Sequence, residues 1–324
     1  MSEKATLGLD LGGTKMLCGV VADDGSVPTT EKKKTKDSGD TEDLLDRMVK
    51  CVGGCMKNAG LSQADVQVLG VAAPGPIDVK NGVLKQTPNL AVRDYPLAEK
   101  LAEALGFPVV LENDVNAGLY GEYVHGGGSR YNHVVGLFPG TGMGGAMILD
   151  GALYRGAGGA AGEIGHMIVD PGGRLCGCGK RGCLESVASR GAIAREAAVL
   201  VTAGKAPTIA AAAGADPTKM KSGVFREAVD AGEQDVIALL ERAAWWLGLG
   251  MANCVNIFNP EAIIVGGGLV EKLGSFYMNA AEASMREHAM DYPGEHVQVI
   301  SATLGDNAAI VGAAIVGRER SAGE

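Results

Sequence analysis

Residues 163–185, EIGHMIVDPGGRLCGCGKRGCLE, constrain this chain more than any other stretch. Cys176-x-Cys178-x4-Cys183 sets three thiols on a short loop, where Gly177, Gly179 and Gly182 let the backbone fold tightly. His166 lies ten residues upstream of the first cysteine. Zinc in structural sites takes four Cys and His ligands tetrahedrally, and a closed Cys3His set leaves no open position for water. The spacing therefore predicts a structural zinc on His166, Cys176, Cys178 and Cys183, with Glu163 and Glu185 carried on its flanks. Three thiols this close also suit a redox group or plain burial. A closed zinc by itself says nothing about a reaction.

Two other stretches bear on chemistry because they repeat one scheme. Residues 6–11 read as a buried strand and 16–22 as the next, with Asp10-Leu-Gly-Gly-Thr-Lys15 between them. Residues 133–138 and 146–149 read as strands around Gly140-Thr-Gly-Met-Gly-Gly145. A glycine hairpin can bring backbone N–H groups against a phosphate, and Asp10 can hold Mg²⁺ directly or through water. Neither turn has Walker spacing, and no helix follows the first, so this is not a P-loop. An ordinary hairpin would look similar, but the pair suggests two related halves, each clamping one side of a polyphosphate.

Around these, the apolar pattern alternates strand and helix. Helices are expected at 41–59, 95–105, 117–123, 184–201 and 236–255, and strands at 66–72, 107–111, 262–265 and 297–304. Residues 23–39 read as a polar turn region whose Lys32–Lys34 run is a solvated strand edge, and 203–232 as a polar, alanine-rich helical excursion. The strand at 66–72 ends in Ala-Pro-Gly75-Pro-Ile-Asp, a rigid turn where open α/β sheets place ligands. The strand at 107–111 ends in Glu112-Asn113-Asp114-Val115-Asn116, where Asp114 could serve as a base and Asn113 could bond a hydroxyl. The same junction is equally read as a helix capped by Asp114 or Asn116. Gly266-Gly267-Gly268 follows the strand at 262–265 and would let a flat ring or sugar lie close to the backbone. Trp245 and Trp246 suit a core or an interface better than ligand stacking.

Composition sets the outer limits. A length of 324 residues favours two domains over one core. The net charge of −9 argues against nucleic-acid or anionic-membrane partners, and no stretch of 18 uncharged apolar residues occurs to span a membrane. With three cysteines assigned to zinc, Cys18, Cys51, Cys55 and Cys254 remain in apolar contexts. They give no reason to expect disulfides, and a reducing, cytoplasmic setting fits.

Taken together these pieces resemble the ROK family of sugar kinases, within the actin-like ATPase and hexokinase group. The resemblance rests on DLGGTK at 10–15, APGPID at 73–78, ENDVNAG at 112–118, GTGMGG at 140–145, GEIGH at 162–166, CGCGKRGCLE at 176–185 and DNAAIVGAA at 306–314. It implies an α/β fold of two actin-like (ribonuclease H-like) domains with an interdomain cleft. One domain would be 1–114 plus about 306–324, and the other 115–305 with the zinc loop 166–183. It further implies ATP-dependent phosphorylation of a hexose with Asp114 as the catalytic base. Gly75, Asn113, Glu163, His166 and Glu185 would meet the sugar, and Asp10 would hold Mg²⁺. Gly12, Gly13, Thr14, Lys15, Gly140, Thr141 and Gly142 would surround the phosphates, with Gly266, Gly267 and Gly268 near the adenosine. His166 would put one nitrogen on zinc and turn the other towards a sugar hydroxyl.

Pro139 departs from the family pattern, removing one backbone N–H just before the second turn. Within the family, the glucose-phosphorylating branch is the closest in character. Kinases of N-acetylmannosamine, N-acetylglucosamine, fructose or mannose come next, and polyphosphate is an alternative donor. Some relatives are sugar-sensing repressors with a helix-turn-helix ahead of the first strand, for which the start of this chain leaves no room. Family members are commonly homodimers or homotetramers.

Overall fold

The computed structural model describes residues 4–35, 40–86 and 92–322; the end of the polar turn expected at 23–39, residues 36–39, lies outside them. The chain forms an α/β fold with mixed sheets and divides into two compact units. One comprises residues 1–129, 153–161 and 306–324, the other residues 130–152 and 162–305.

The first unit opens with strands β1 (Ala5–Leu11), β2 (Lys15–Val21) and β3 (Thr29–Lys34), followed by helix α1 (Thr41–Ala59) and strand β4 (Val66–Ala73). Leu7, Leu9 and Leu11 are wholly buried, each worth roughly 1.5–3 kcal/mol on transfer from water. β3 is the solvated edge that the lysine run suggested, pairing only with β2 among the described strands. α1 starts where the Asp40 carboxylate accepts the Glu42 N–H (3.0 Å) and stops at Gly60, whose φ of 69° an L side chain resists. Its stripe of Leu44, Met48, Cys51, Val52 and Cys55 faces the core, so the two helical cysteines are core residues as expected.

Short strands β5 (Ile77–Asp78), β6 (Val83–Gln86) and β7 (Arg93–Tyr95) then make a small antiparallel sheet that no sequence period announced. Helix α2 (Leu97–Leu105) leads to strand β8 (Val109–Asn113) and helix α3 (Asp114–His125). The main sheet runs β3-β2-β1-β4-β8, with β1, β4 and β8 parallel and β2 antiparallel to β1.

The second unit repeats that order. Strands β9 (Val134–Pro139) and β10 (Met143–Leu149) form a hairpin, and β11 (Ala152–Leu153) follows. The helix expected at 184–201 is broken into α4 (Glu185–Ala188) and α5 (Arg190–Thr202), because Ser189 is extended and its hydroxyl caps the Ala192 N–H (3.1 Å). Such a cap contributes about 1 kcal/mol. Helices α6 (Pro207–Ala213), α7 (Ser222–Asp230) and α8 (Gln234–Phe258) precede strand β12 (Ala262–Val265). Helices α9 (Gly268–Leu273), α10 (Ser275–His288) and α11 (Asp291–His296) then lead to strand β13 (Gln298–Ser301), shorter than expected at both ends. The sheet order is β11-β10-β9-β12-β13, with β9, β12 and β13 parallel. Trp245 on α8 lies half exposed, edge-on to both Trp246 and His288.

The chain closes with α12 (Ala308–Ala322) in the first unit, against β1, β4 and α3. Small residues make that approach possible. A Cβ on Gly70 would stand 1.8 Å from the Ala313 carbonyl oxygen, and one on Gly312 would stand 1.7 Å from that of Ala117.

Candidate active site

In the first unit, the expected site residues gather at the C-terminal ends of the parallel strands. Asp10 sits one residue before the end of β1, Gly75 follows β4, and Asn113 ends β8 with Asp114 opening α3. Burial lifts the Asp10 carboxyl to about 7, the Asp114 charge pushes the same way, and Lys15 opposes both. A buried acid at a strand end whose ionisation a neighbouring acid opposes is relieved by a divalent cation.

The turn at Gly12, Gly13 and Thr14 projects beside them, with Gly13 and Thr14 exposed. Lys15 does not point away alone. Its Nζ lies 2.8 Å from Asp306 just before α12, and that bond holds the Asp306 carboxyl below its usual range.

Asn113 resolves the question of what caps α3. It is neither Asp114 nor Asn116: the Asn113 side-chain oxygen accepts the N–H groups of Val115 (3.0 Å) and Asn116 (3.1 Å). Its Nδ2 donates to the Gly75 carbonyl (3.3 Å), so the turn after β4 and the junction after β8 are fixed to each other. Asp114 is at the first helical position, its Oδ1 accepting the Val115 N–H at 2.9 Å. Asn116 turns inward and donates to Glu112 (3.1 Å).

In the second unit, His166, Cys176, Cys178 and Cys183 bring one ligand atom each to within 4.8 Å of all the others. Cys176 Sγ is 3.7 Å from His166 Nδ1, and Cys178 Sγ is 3.7 Å from Cys183 Sγ. A tetrahedral zinc with bonds near 2.3 Å to sulfur has edges of roughly 3.8 Å, which these two distances match, so the donor set suits that ion. Burial pushes the Cys176 thiol up to about 12, a cost that a cation among the four would offset. The Nε2 of His166 faces the other way, 3.8 Å from Glu163, whose carboxylate is exposed.

Glu185 does more than flank the thiols. One oxygen lies 3.2 Å from Cys176 Sγ, and the other accepts the Met143 N–H at 2.9 Å, on the first residue after the second glycine turn. The turn of Gly140, Thr141 and Gly142 is thereby tied to the Cys3His loop. It is tied to α5 as well, because Arg190 N–H donates to the Gly140 carbonyl (2.9 Å) and its guanidinium donates to the Thr141 hydroxyl. Pro139 ends β9 opposite Met143, so its missing N–H falls on the strand and not within the turn. The third glycine turn lies against it: a Cβ on Gly267 would be 3.0 Å from the Pro139 carbonyl, and its φ is 94°. Gly266 donates to the Leu137 carbonyl, and Gly268 starts α9.

The residues thus fall into two sets, each assembled within its own unit. Asp10, Gly12, Gly13, Thr14, Lys15, Gly75, Asn113 and Asp114 lie in the first. The two remaining glycine turns, Gly140, Thr141 and Gly142 and Gly266, Gly267 and Gly268, lie in the second with Glu163, His166, Glu185 and the cysteines. Sequence reasoning missed Asp306, Arg155 and Arg190 as members of these sets. A lone arginine heading the glycine- and alanine-rich run at 155–161 was the available signal for one of them.

Comparison with known proteins sets this geometry among relatives. Residues 6–320 match the family described as the ROK family. A glucokinase of Streptomyces coelicolor is 34% identical over 97% of this chain and 98% of its own. A glucokinase of Thermotoga maritima is 32% identical over the whole of both chains. Among solved structures, a ROK family glucokinase from Streptomyces griseus in complex with glucose and AMPPNP is 35% identical, with a TM-score of 0.86 over 97% of this chain and 99% of that one. Among the described residues no helix is long and apolar enough to cross a membrane.

Proposed function

The chain belongs to the ROK family, and from that premise we propose that it is an ATP-dependent glucokinase, moving the γ-phosphoryl group of ATP to the 6-hydroxyl of glucose with Asp114 as base. The observation that carries the reading is the pair Asp10 and Asp114, two carboxylates at strand ends beside an exposed glycine turn, the second raising the pKa of the first. One acid suits a cation on phosphates, the other a hydroxyl proton.

Phosphoryl transfer passes through a loose transition state and needs positioning more than covalent help. Asp114 orients the sugar hydroxyl and takes its proton as the bond from that oxygen to the γ-phosphorus forms. The bond from the γ-phosphorus to the bridging oxygen breaks, and the electron pair leaves on ADP. Gly12, Gly13, Thr14 and Lys15 in the first unit offer N–H groups, a hydroxyl and an ammonium to phosphate, and Gly140, Thr141 and Gly142 in the second offer N–H groups and a hydroxyl of the same kind. Asp10 would hold Mg²⁺, which when bound neutralises charge on the transferring phosphate. Gly266, Gly267 and Gly268 leave the backbone bare for the adenosine.

In the second unit Glu163, Glu185 and His166 are assigned to the sugar hydroxyls, and in the first Asn113 and the neighbouring Gly75 turn are assigned to the same substrate. Glu185 keeps acceptor capacity after its bonds to Met143 and Cys176, since a carboxylate offers about four lone-pair sites. His166 turns Nδ1 to the thiols, so Nε2 is the nitrogen that would carry a proton towards the sugar. Zinc on this Cys3His set would fix that ring and leave no open position for catalysis of its own. We take the two sheets of equal order as two actin-like halves and place the protein in the cytoplasm.

An ADP-release assay across glucose, mannose, fructose, N-acetylglucosamine and N-acetylmannosamine tests the reading. Glucose is expected to give the highest kcat/KM. ADP release with none of them would overturn the kinase, and preference for a hexosamine would replace glucose as its substrate.

A further inference from the structure

Glu112, the last but one residue of β8, is only 1% exposed and directly precedes Asn113 and Asp114. A buried carboxylate is costly unless every oxygen is satisfied. Here both are. Arg155 donates to Oε2 from Nε (2.8 Å) and Nη2 (2.6 Å), and Arg320 Nη2 lies 4.0 Å from the same oxygen. Oε1 accepts from Asn116 Nδ2 (3.1 Å) and from the backbone N–H of Asn113 (3.1 Å).

All of these residues belong to the first unit. The Arg155 carbonyl also accepts the Ala161 N–H (3.1 Å), closing the glycine-rich loop behind it, and Arg320 donates to the Val79 carbonyl after the Gly75 turn. One carboxylate therefore joins the end of β8, the start of α3, the segment 153–161 and the end of α12.

A buried ion pair is weak evidence for stability, because apolar residues of the same shape often serve as well or better. What an apolar pair could not do is accept two directed hydrogen bonds from the residues on either side of Asp114. Glu112 fixes the Asn113 backbone and the Asn116 side chain, and Asn113 in turn caps the helix that Asp114 begins. We propose that Glu112 and Arg155 are positioning residues for phosphoryl transfer: the carboxylate sets the orientation of Asp114, and the arginine holds the carboxylate. The proposal rests on the kinase reading above and assigns to the Glu112–Arg155 pair a role in turnover, not in substrate contact.

The test separates orientation from folding. Glu112→Gln, Arg155→Met, Arg155→Lys and the double variant E112M/R155M, whose methionines offer no acceptor to Asn113 or Asn116, are compared with the full wild-type chain for kcat, KM of glucose and ATP, and Tm. Glu112→Gln leaves the half-buried Arg155 without its carboxylate, and Arg155→Met leaves the buried Glu112 with only Arg320 at 4.0 Å, so both Tm and kcat should fall. The double variant removes both charges of the pair and leaves Arg320 32% exposed with its bond to the Val79 carbonyl, so its Tm should return to within a few degrees of wild type. Its kcat should stay down by roughly 10- to 100-fold, as for a displaced catalytic group, with KM for ATP within about twofold. Arg155→Lys should recover part of the lost kcat. Recovery of kcat together with Tm in the double variant, or wild-type turnover in either charge-unpairing variant, would overturn the proposal. A wild-type chain that releases no ADP with any hexose would instead overturn the kinase reading.

Discussion

The turn between β1 and β2 and the turn between β9 and β10 are one backbone device in two chemical settings. Each links antiparallel neighbours at the same place in a sheet of the same order, and each exposes its threonine, Thr14 or Thr141. The first carries charge on its own strands, with Asp10 before it and Lys15 after it. The second is bracketed by the buried, neutral Pro139 and Met143, and its charged neighbours arrive from elsewhere: Glu185 on the Met143 N–H and Arg190 on Thr141. The difference suggests a division of labour. On the proposed reading the first turn would take a cation and a proton, and the second would be a neutral cradle whose shape the Cys3His loop keeps.

The largest effect should come from the charged side. Asp114→Asn keeps the volume and leaves the Asn113 cap in place, so the fold should persist while kcat falls by about 10²- to 10⁴-fold. By contrast Arg190→Ala on the neutral side should raise KM for ATP a few-fold and leave kcat within an order of magnitude. Near-normal turnover of Asp114→Asn would remove the base, and equal losses in the two variants would erase the contrast between the turns.

How much of this was legible beforehand follows the same division. The charged turn could be read directly, because a carboxylate and an amine inside an apolar strand pair have few structural uses, and Asp10 and Lys15 stand five residues apart. The Cys3His set was equally plain from its spacing. What the sequence hid are bonds across long separations: Glu185 to Met143 spans 42 residues, Arg155 to Glu112 spans 43 and Lys15 to Asp306 spans 291. No local pattern encodes such pairs. The same holds for the fold. Strands β1, β4 and β12 announced themselves as apolar runs, whereas β5, β6 and β7 have two to four residues each and show no period. The break at Ser189 was invisible to periodicity because apolar residues continue on both sides. The cap on α3 went to Asn113 because β8 runs two residues further than its apolar stretch, which moves the helix start to Asp114.

The second prediction concerns the neutral side. Chelation, or Cys178→Ser, should release about one zinc per chain and raise KM for glucose by roughly 10- to 100-fold, with a smaller change in kcat. The reason is geometric: Glu185 packs against Cys176 on the loop while its other oxygen accepts the Met143 N–H, and His166 is oriented by the same loop. Loosening the loop should therefore disturb the sugar side and the second turn together. Full activity of metal-free protein at low glucose would separate the loop from the site and break the contrast from this end.

The smallest effect lies in the pH dependence of stability without nucleotide, and it isolates the charge on the first turn. Burial, then the nearby Asp114, raises Asp10 from 3.8 to about 7 in the folded chain. The folded state consequently binds more protons than the unfolded state between those values. Stability contributed by this group is present below the unfolded pKa, declines as pH rises through about 4 to 7, and is level above that. Asp10→Asn abolishes the decline, so its Tm relative to wild type should rise across this window by several degrees, measured in Mg²⁺-free buffer. Adding Mg²⁺ should stabilise the wild type at pH 8 more than the variant, because a cation favours the carboxylate that burial disfavours. Parallel Tm curves for the two proteins, with and without Mg²⁺, would mean that Asp10 ionises freely, and the first turn would then be as neutral in its chemistry as the second.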